Sequence, residues 1–226
     1  MQPAAACTVY LARLAELRPW HRQTLDAAES QRAARFRLEA DRERFVLATA
    51  VLRTAAAGLL GCTPAAVPLD RGCEHCGRQH GRPRLPGTGL QASISHSGDV
   101  AAVALTAGQP VGVDVEAITG RAYEPLLDRV CTAAERPFVR SAADFCSVWA
   151  RKEAVLKATG EGLRTPMTSV SLTPPQQPPE LLDLAGARPA CRLADIPAGP
   201  GYAAAAAVLC PDPVAFEVRD GAAARP

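Results

Sequence analysis

Two helical segments of this chain echo one another. Ala50-Val51-Leu52-Arg53, followed by Gly58-Leu59, stands at one fixed offset from Ala154-Val155-Leu156-Lys157, followed by Gly162-Leu163. Self-similarity at a fixed spacing is how repeated supersecondary units show themselves in a sequence. The echo predicts an α+β fold built as a pseudo-dimer of two similar halves, each a helix plus an antiparallel sheet; chance similarity between alanine-rich helices is the alternative. The N-terminal half is placed at residues 1–107 and the C-terminal half at residues 108–226. At the same offset Thr49 lies opposite Glu153 and Ala48 opposite Lys152. Only the second copy is charged there, so a single active site should draw its carboxylate from it.

Local patterning fills in the halves. Residues 27–60 carry apolar positions at helical spacing, and Gly61, Pro64 and Pro68 end that helical region. Leu69 to Gly89 is rich enough in Gly and Pro to read as turns and loop. Gln91–Ser97, Val100–Thr106 and Val111–Glu116, separated by Gly98-Asp99 and Gly108-Gln109-Pro110, read as a three-stranded meander. Helix is expected again over Thr132–Arg140 and from Ala143 to Thr159, stopped by Gly160 and Gly162. Short strands follow at Val170–Leu172 and Tyr202–Leu209, on either side of a Pro-rich loop at 174–179, and Gly221–Pro226 reads as frayed.

Composition closes off several classes of function. Hydrophobic residues make up 48% against 21% charged, which excludes a chain too polar to fold. Net charge is only +2, so no strong basic field points to nucleic acid. The uncharged run Thr54–Leu69 is interrupted by Gly58, Gly61, Pro64 and Pro68, which leaves no membrane span. Ala4-Ala5-Ala6-Cys7 lacks the charged and apolar regions of an export signal, and Cys7, Cys62, Cys131, Cys146, Cys191 and Cys210 are scattered singly. A cytoplasmic protein with reduced thiols is expected.

Chemistry concentrates in a few places. In Gly112-Val113-Asp114-Val115-Glu116, alternation puts Asp114 and Glu116 on one strand face, roughly 7 Å apart, within reach of one hard divalent cation. A half-exposed strand with polar residues facing water is the plainer reading until a third ligand is found. Glu153 supplies a candidate, with Lys157 one helical turn on and Trp149 one turn before; an ordinary surface ion pair is the alternative. Ser93-Ile94-Ser95-His96-Ser97-Gly98 ends a strand at a turn, where hydroxyls, a ring nitrogen and backbone amides suit a phosphate, or where serines simply form the turn. Cys73 and Cys76, with His80 nearby, make half of a zinc site or a free thiol pair.

Taken in order, Gly81-Arg82-Pro83, Ser93–Ser97, Gly112–Glu116 and Trp149–Lys157 resemble the motif series of the 4′-phosphopantetheinyl transferases, in the larger two-half, single-chain branch called Sfp-type, and the resemblance extends from about Glu29 to Tyr202. It implies the 4′-phosphopantetheinyl transferase fold and the activity of a holo-[carrier protein] synthase. Such an enzyme moves the phosphopantetheine arm of coenzyme A to a serine of an apo acyl, peptidyl or aryl carrier protein and releases adenosine 3′,5′-bisphosphate, assisted by Mg²⁺. By position, the resemblance makes Asp114, Glu116 and Glu153 metal ligands, Lys157 a diphosphate contact, and Ser95 and His96 coenzyme-phosphate contacts. Arg82 stands where a lysine is more usual, Arg32 where a basic residue binds the 3′-phosphate, and Arg53 at a further basic helix position. Glu153 is the candidate base for the carrier serine, directly or through water, and Glu135 the second choice. Acidic carrier helices are expected near Arg121–Val139, Arg136 and Arg140. Because one chain supplies both halves, a monomer with no nucleic-acid or membrane partner is expected. A zinc or nucleic-acid binding module, or another Mg²⁺-dependent phosphoester enzyme, are the competing readings.

Overall fold

The computed structural model describes residues 5–72, 77 and 79–222. The chain runs through β1 (Ala5–Arg13), α1 (Pro19–Gln23), α2 (Ala27–Ala34), α3 (Glu39–Leu60), β2 (Asp70–Gly72), β3 (Gln79–Arg84), β4 (Leu90–Ser97), β5 (Val100–Ala107) and β6 (Val111–Ala117). It continues through α4 (Leu127–Val130), α5 (Ala142–Thr159), β7 (Val170–Leu172), β8 (Leu181–Leu184), β9 (Arg192–Asp195), β10 (Tyr202–Val208) and β11 (Val214–Asp220). The strands form sheets ordered β11-β1-β5-β4-β3-β2, β6-β10-β9 and β7-β8.

Alternation along the strands builds the core in layers. Tyr10, Ala12, Ala101, Val103 and Leu105 face α3, whereas Val9, Ala102 and Ala104 face the second sheet through Val111, Val113 and Val115. Ala205 and Ala207 of β10 turn the other way, onto α5. Each long helix thus covers its own sheet, and the two sheets meet between them. Both helices end on a glycine in the left-handed region, Gly61 at φ 65° and Gly160 at φ 79°, a conformation that L-residues with a Cβ rarely adopt.

The mixed α+β architecture matches the expectation, with several local corrections. β4 and β5 pair as the first two strands of the expected meander, but β6 crosses over at Gly108-Gln109-Pro110 and pairs antiparallel with β10 instead. Its valine face is apolar enough to be buried against the first sheet, which a place on that sheet's own edge would not allow. The helical region 27–60 divides at residues 35–38, where Phe36 turns in to meet Phe45 with ring centroids 5.4 Å apart. Only Arg136–Phe138, a 3₁₀ turn, is helical within the expected helix 132–140; Pro137 lacks the N–H, and the Glu135 carboxylate takes the Thr132 N–H at 2.7 Å. The segment read as loop, 69–89, holds β2 and β3, tied by an Asp70–Arg84 ion pair at 2.9 Å. The glycine part of the echo is not structural, since Gly58 lies inside α3 while Gly162 lies beyond the end of α5. β1, β8, β9 and β11 were not anticipated, and β11 joins the first sheet parallel to β1. Gly221 is held there by its N–H to the Leu11 carbonyl at 2.7 Å. No helix among the described residues is long and apolar enough to cross a membrane. Cys73, Cys76 and the side chain of His80 lie outside the described residues.

Candidate active site

The site begins with a close approach of β6 to α5. A Cβ at Gly112 would overlap the Ala154 carbonyl oxygen and sit 2.6 Å from the Ala158 nitrogen, so only glycine lets the strand lie this near the helix. Alanines face it on both sides, at Ala154 and Ala158 of α5 and at Ala203–Ala207 of β10. Two residues further along β6, Asp114 is thereby brought to the helix, and Lys157 donates to its Oδ1 at 2.6 Å and to the Val113 carbonyl at 3.1 Å.

A row of serines joins this strand to the other sheet. Ser93 Oγ accepts the Val113 N–H at 3.0 Å, Ser95 Oγ donates to Asp114 Oδ1 at 2.7 Å, and Ser97 Oγ accepts the Ala117 N–H while donating to Glu116 Oε2, both at 3.0 Å. Ser95 and Ser97 therefore orient the two strand carboxylates. Asp114 is 3% exposed, and its Oδ2 is buried with no hydrogen-bond partner. A buried carboxylate oxygen without a donor is a seat for a cation, and aspartate and glutamate oxygens are the donors a hard divalent ion prefers. Among the described residues no three such ligands are yet drawn around one point. The Lys157 ammonium is the counter-charge that Asp114 has, at 2.6 Å.

The electrostatics of the acids agree with that picture. Burial pushes the Glu116 carboxyl above the usual carboxylate range, and Asp114 and Glu153 add to the rise against the Ser97 hydrogen bond. Burial also raises Glu153, with Lys157 opposing and Asp114 reinforcing. A raised folded-state carboxyl means that ionisation costs stability, a cost present at neutral pH and lost as pH falls through the carboxylate range. Glu153→Gln is therefore expected to raise the melting temperature at pH 7.5 in the absence of divalent ions and to give no such gain at pH 4. A variant that melts below the parent at pH 7.5 contradicts a cost of burying the charged Glu153.

Beside Lys157 opens a cleft of about 360 Å³, whose lining includes Arg32, Arg71, Arg82, His96 and Lys157 and, among the described residues, no carboxylate. Arg32 lies over the Phe45 ring at 4.8 Å and Arg71 over the same ring at 5.8 Å. Burial, and then the neighbouring Arg32 charge, lower the Arg71 guanidinium to about 10. Crowded guanidinia in a concave site favour an anion with several charges. Arg71 was not singled out from sequence; its place beside Phe45 depends on the β2–β3 hairpin, hidden in a stretch read as loop. Arg82 reaches the end of α5, donating to the Ala158 and Val111 carbonyls at 3.5 and 3.3 Å.

Two expected residues stand elsewhere. Arg53 is 1% exposed and bonded to Glu29, Asp26 and the carbonyls of Pro64 and Val67, so it is not a lining residue of the cleft. Glu135 is also saturated: it accepts from the Lys152 ammonium at 2.6 Å, from the Thr132 N–H at 2.7 Å and from the Leu172 N–H at 2.9 Å. With these partners it anchors α5 to the 130–135 turn and has little capacity left to act as a base.

The chain is similar to known proteins of one family. The sequence model of the 4′-phosphopantetheinyl transferase superfamily matches residues 110–207, the span that contains Asp114, Glu116, Glu153 and Lys157. The chain is 33% identical over 159 residues to the 4′-phosphopantetheinyl transferase HetI of Nostoc sp., covering 67% of this chain and 66% of that protein. It is 27% identical over 156 residues to a 4′-phosphopantetheinyl transferase of Bacillus subtilis, covering 66% of each. A phosphopantetheinyl transferase of Thraustochytrium sp. is 28% identical over 215 residues, 82% of this chain and 72% of that one. The matched stretch thus spans just under two thirds of the length of the first two relatives.

Proposed function

The chain belongs to the 4′-phosphopantetheinyl transferase superfamily, and on that premise we propose that it transfers the phosphopantetheine arm of coenzyme A to a serine of an apo carrier protein, releasing adenosine 3′,5′-bisphosphate. The observation that supports the reading is the adjacency, through Lys157, of a cleft lined by Arg32, Arg71, Arg82 and His96 to the buried Asp114 carboxylate, whose Oδ2 has no hydrogen-bond partner, with Glu116 and Glu153 acting on one another electrostatically nearby. The N-terminal half would bind the coenzyme and the C-terminal half would supply the acids. Arg32 and Arg71 suit the 3′-phosphate end, and Lys157, His96 and Arg82 the diphosphate. Ser95 supports this from behind, through Asp114.

Asp114, Glu116 and Glu153 would hold a magnesium ion, which when bound supplies charge stabilisation to the diphosphate. Lys157 reaches between the acids and the cleft, where its ammonium neutralises charge that develops on the leaving bisphosphate. The carrier serine oxygen forms a bond to the β-phosphorus, the bond from that phosphorus to the bridging oxygen breaks, and the serine proton passes to Glu153. The enzyme would act as a cytoplasmic monomer.

Carrier docking is assigned to residues 121–140, which expose basic and apolar side chains together. Leu126 and Phe138 are exposed there among Arg121, Arg129, Arg136 and Arg140, with Arg136 paired to Asp128 at 2.7 Å. Arg136→Glu with Arg140→Glu is expected to raise the KM for an acidic carrier about tenfold at low salt and leave that for coenzyme A unchanged. An unchanged carrier KM would move the docking face elsewhere. The reaction itself is tested by incubating the protein with coenzyme A, Mg²⁺ and an apo carrier. A carrier gaining one phosphopantetheine mass, with adenosine 3′,5′-bisphosphate as co-product, supports the proposal. Free phosphate without modified carrier would point to another phosphoester enzyme.

A further inference from the structure

We propose that Arg53 governs recognition of the coenzyme's 3′-phosphate without touching it, by clamping the start of α2 so that Arg32 stands at the cleft; this rests on the transferase reading above. Arg53 sits inside α3, and its Nε donates to Glu29 Oε2 and its Nη2 to Asp26 Oδ2, both at 2.7 Å. Its Nη1 donates to the carbonyls of Pro64 and Val67 at 2.9 and 3.2 Å, fixing the guanidinium in the turn that follows α3. The same two carboxylates close the first turn of α2. Asp26 Oδ1 accepts the Glu29 N–H at 2.8 Å, and Glu29 Oε2 accepts the Asp26 N–H at 3.0 Å.

α2 has little else to hold it, since only Glu29 and Ala33 of its eight residues are buried. Arg32 follows Glu29 by one turn on the same face and is delivered to the Phe45 ring, where Arg71 already stands. Two guanidinia beside one ring repel, and the hold on α2 from behind opposes that repulsion by fixing the backbone that carries Arg32. Removing the Arg53 charge does two things at once. It frees the helix start, and it leaves Asp26 and Glu29 uncompensated and able to draw Arg32 back from the cleft. Arg53 is thus a positioning residue whose effect is confined to the end of the ligand that Arg32 meets.

The test titrates coenzyme A and dephospho-coenzyme A, which lacks only the 3′-phosphate, calorimetrically into the protein without carrier. The parent protein is expected to prefer coenzyme A. Arg53→Met should weaken coenzyme A binding about tenfold and leave dephospho-coenzyme A within about twofold, so that the preference collapses, as it should in Arg32→Ala. The double variant should bind no more weakly than Arg32→Ala alone, because the two residues act in series. Asp26→Asn, a milder change at a partly exposed position, should move the preference in the same direction by about threefold if Arg53→Met fails to fold. A folded variant that keeps the parent's preference, that weakens both coenzymes equally, or that adds its full effect to Arg32→Ala would overturn the assignment to Arg53. A parent that binds neither coenzyme would instead overturn the transferase reading beneath it.

Discussion

Gly112→Ala is expected to lower the melting temperature by about 6–12 °C, the equivalent of roughly 3 kcal/mol of overpacking in a domain of this size, and to abolish transfer. The added methyl meets backbone, the Ala154 carbonyl and the Ala158 nitrogen, so no side-chain rotation relieves it. β6 must move away from α5, and the separation of Asp114 from Lys157 and Glu153 moves with it. Stability and chemistry fail together because one contact sets both. Gly58, which faces open space inside α3, makes the control: Gly58→Ala should stabilise by about 0.4–1 kcal/mol and leave activity intact. A Gly112→Ala protein that melts within 2 °C of the parent, on the scale of about 2–4 °C per kcal/mol, would show that the strand tolerates displacement and that the close approach is incidental.

Asp114→Asn should do the reverse, sparing the fold and removing the chemistry. Asparagine has nearly the same shape and can still accept from Ser95 and Lys157 through its carbonyl oxygen. Its second polar atom becomes a donor group, which cannot ligand a cation and which faces the position where Oδ2 now lacks a partner. The loss of charge also releases Lys157 from its partner in the resting site. We expect kcat/KM to fall about 10³-fold with the melting temperature changed by only a few degrees. Ser95→Ala, which removes only the hydrogen bond that orients the carboxylate, should cost about tenfold. Retention of more than a tenth of the parent rate by Asp114→Asn would exclude this carboxylate as a ligand.

The parts of this molecule legible in sequence are those in which the functional residue and its structural support lie in the same short segment. Alternation in Val111–Glu116 announced both the buried valine face and the paired acids, and the spacing of Glu153 and Lys157 placed both on one helix face. What was hidden depends on partners distant in the chain. Asp114 and Lys157 meet because Gly112 lies against Ala154, a contact that no local pattern reports. The crossing of β6 to β10 was hidden because Gly108-Gln109-Pro110 is as good a hairpin turn as a crossover. Arg71 was missed because β2 and β3 are short and Gly- and Pro-rich, with Gly81 packed so near the Gly72 carbonyl that a Cβ would lie 2.8 Å from it. Arg53 and Glu135 were misplaced for a common reason: sequence spacing shows a charge on a helix or turn and leaves open whether it faces a cleft or a buried counter-charge.

The central proposal is one cation shared by acids from β6 and α5, next to a coenzyme diphosphate on Lys157. Diffraction from crystals grown with coenzyme A and Mn²⁺ in place of Mg²⁺ tests it directly, because manganese is located by its anomalous signal. A single peak ligated by Asp114, Glu116 and Glu153 and by a diphosphate oxygen is the predicted result. A coenzyme bound elsewhere, or a manganese peak that touches none of those three side chains, would contradict it.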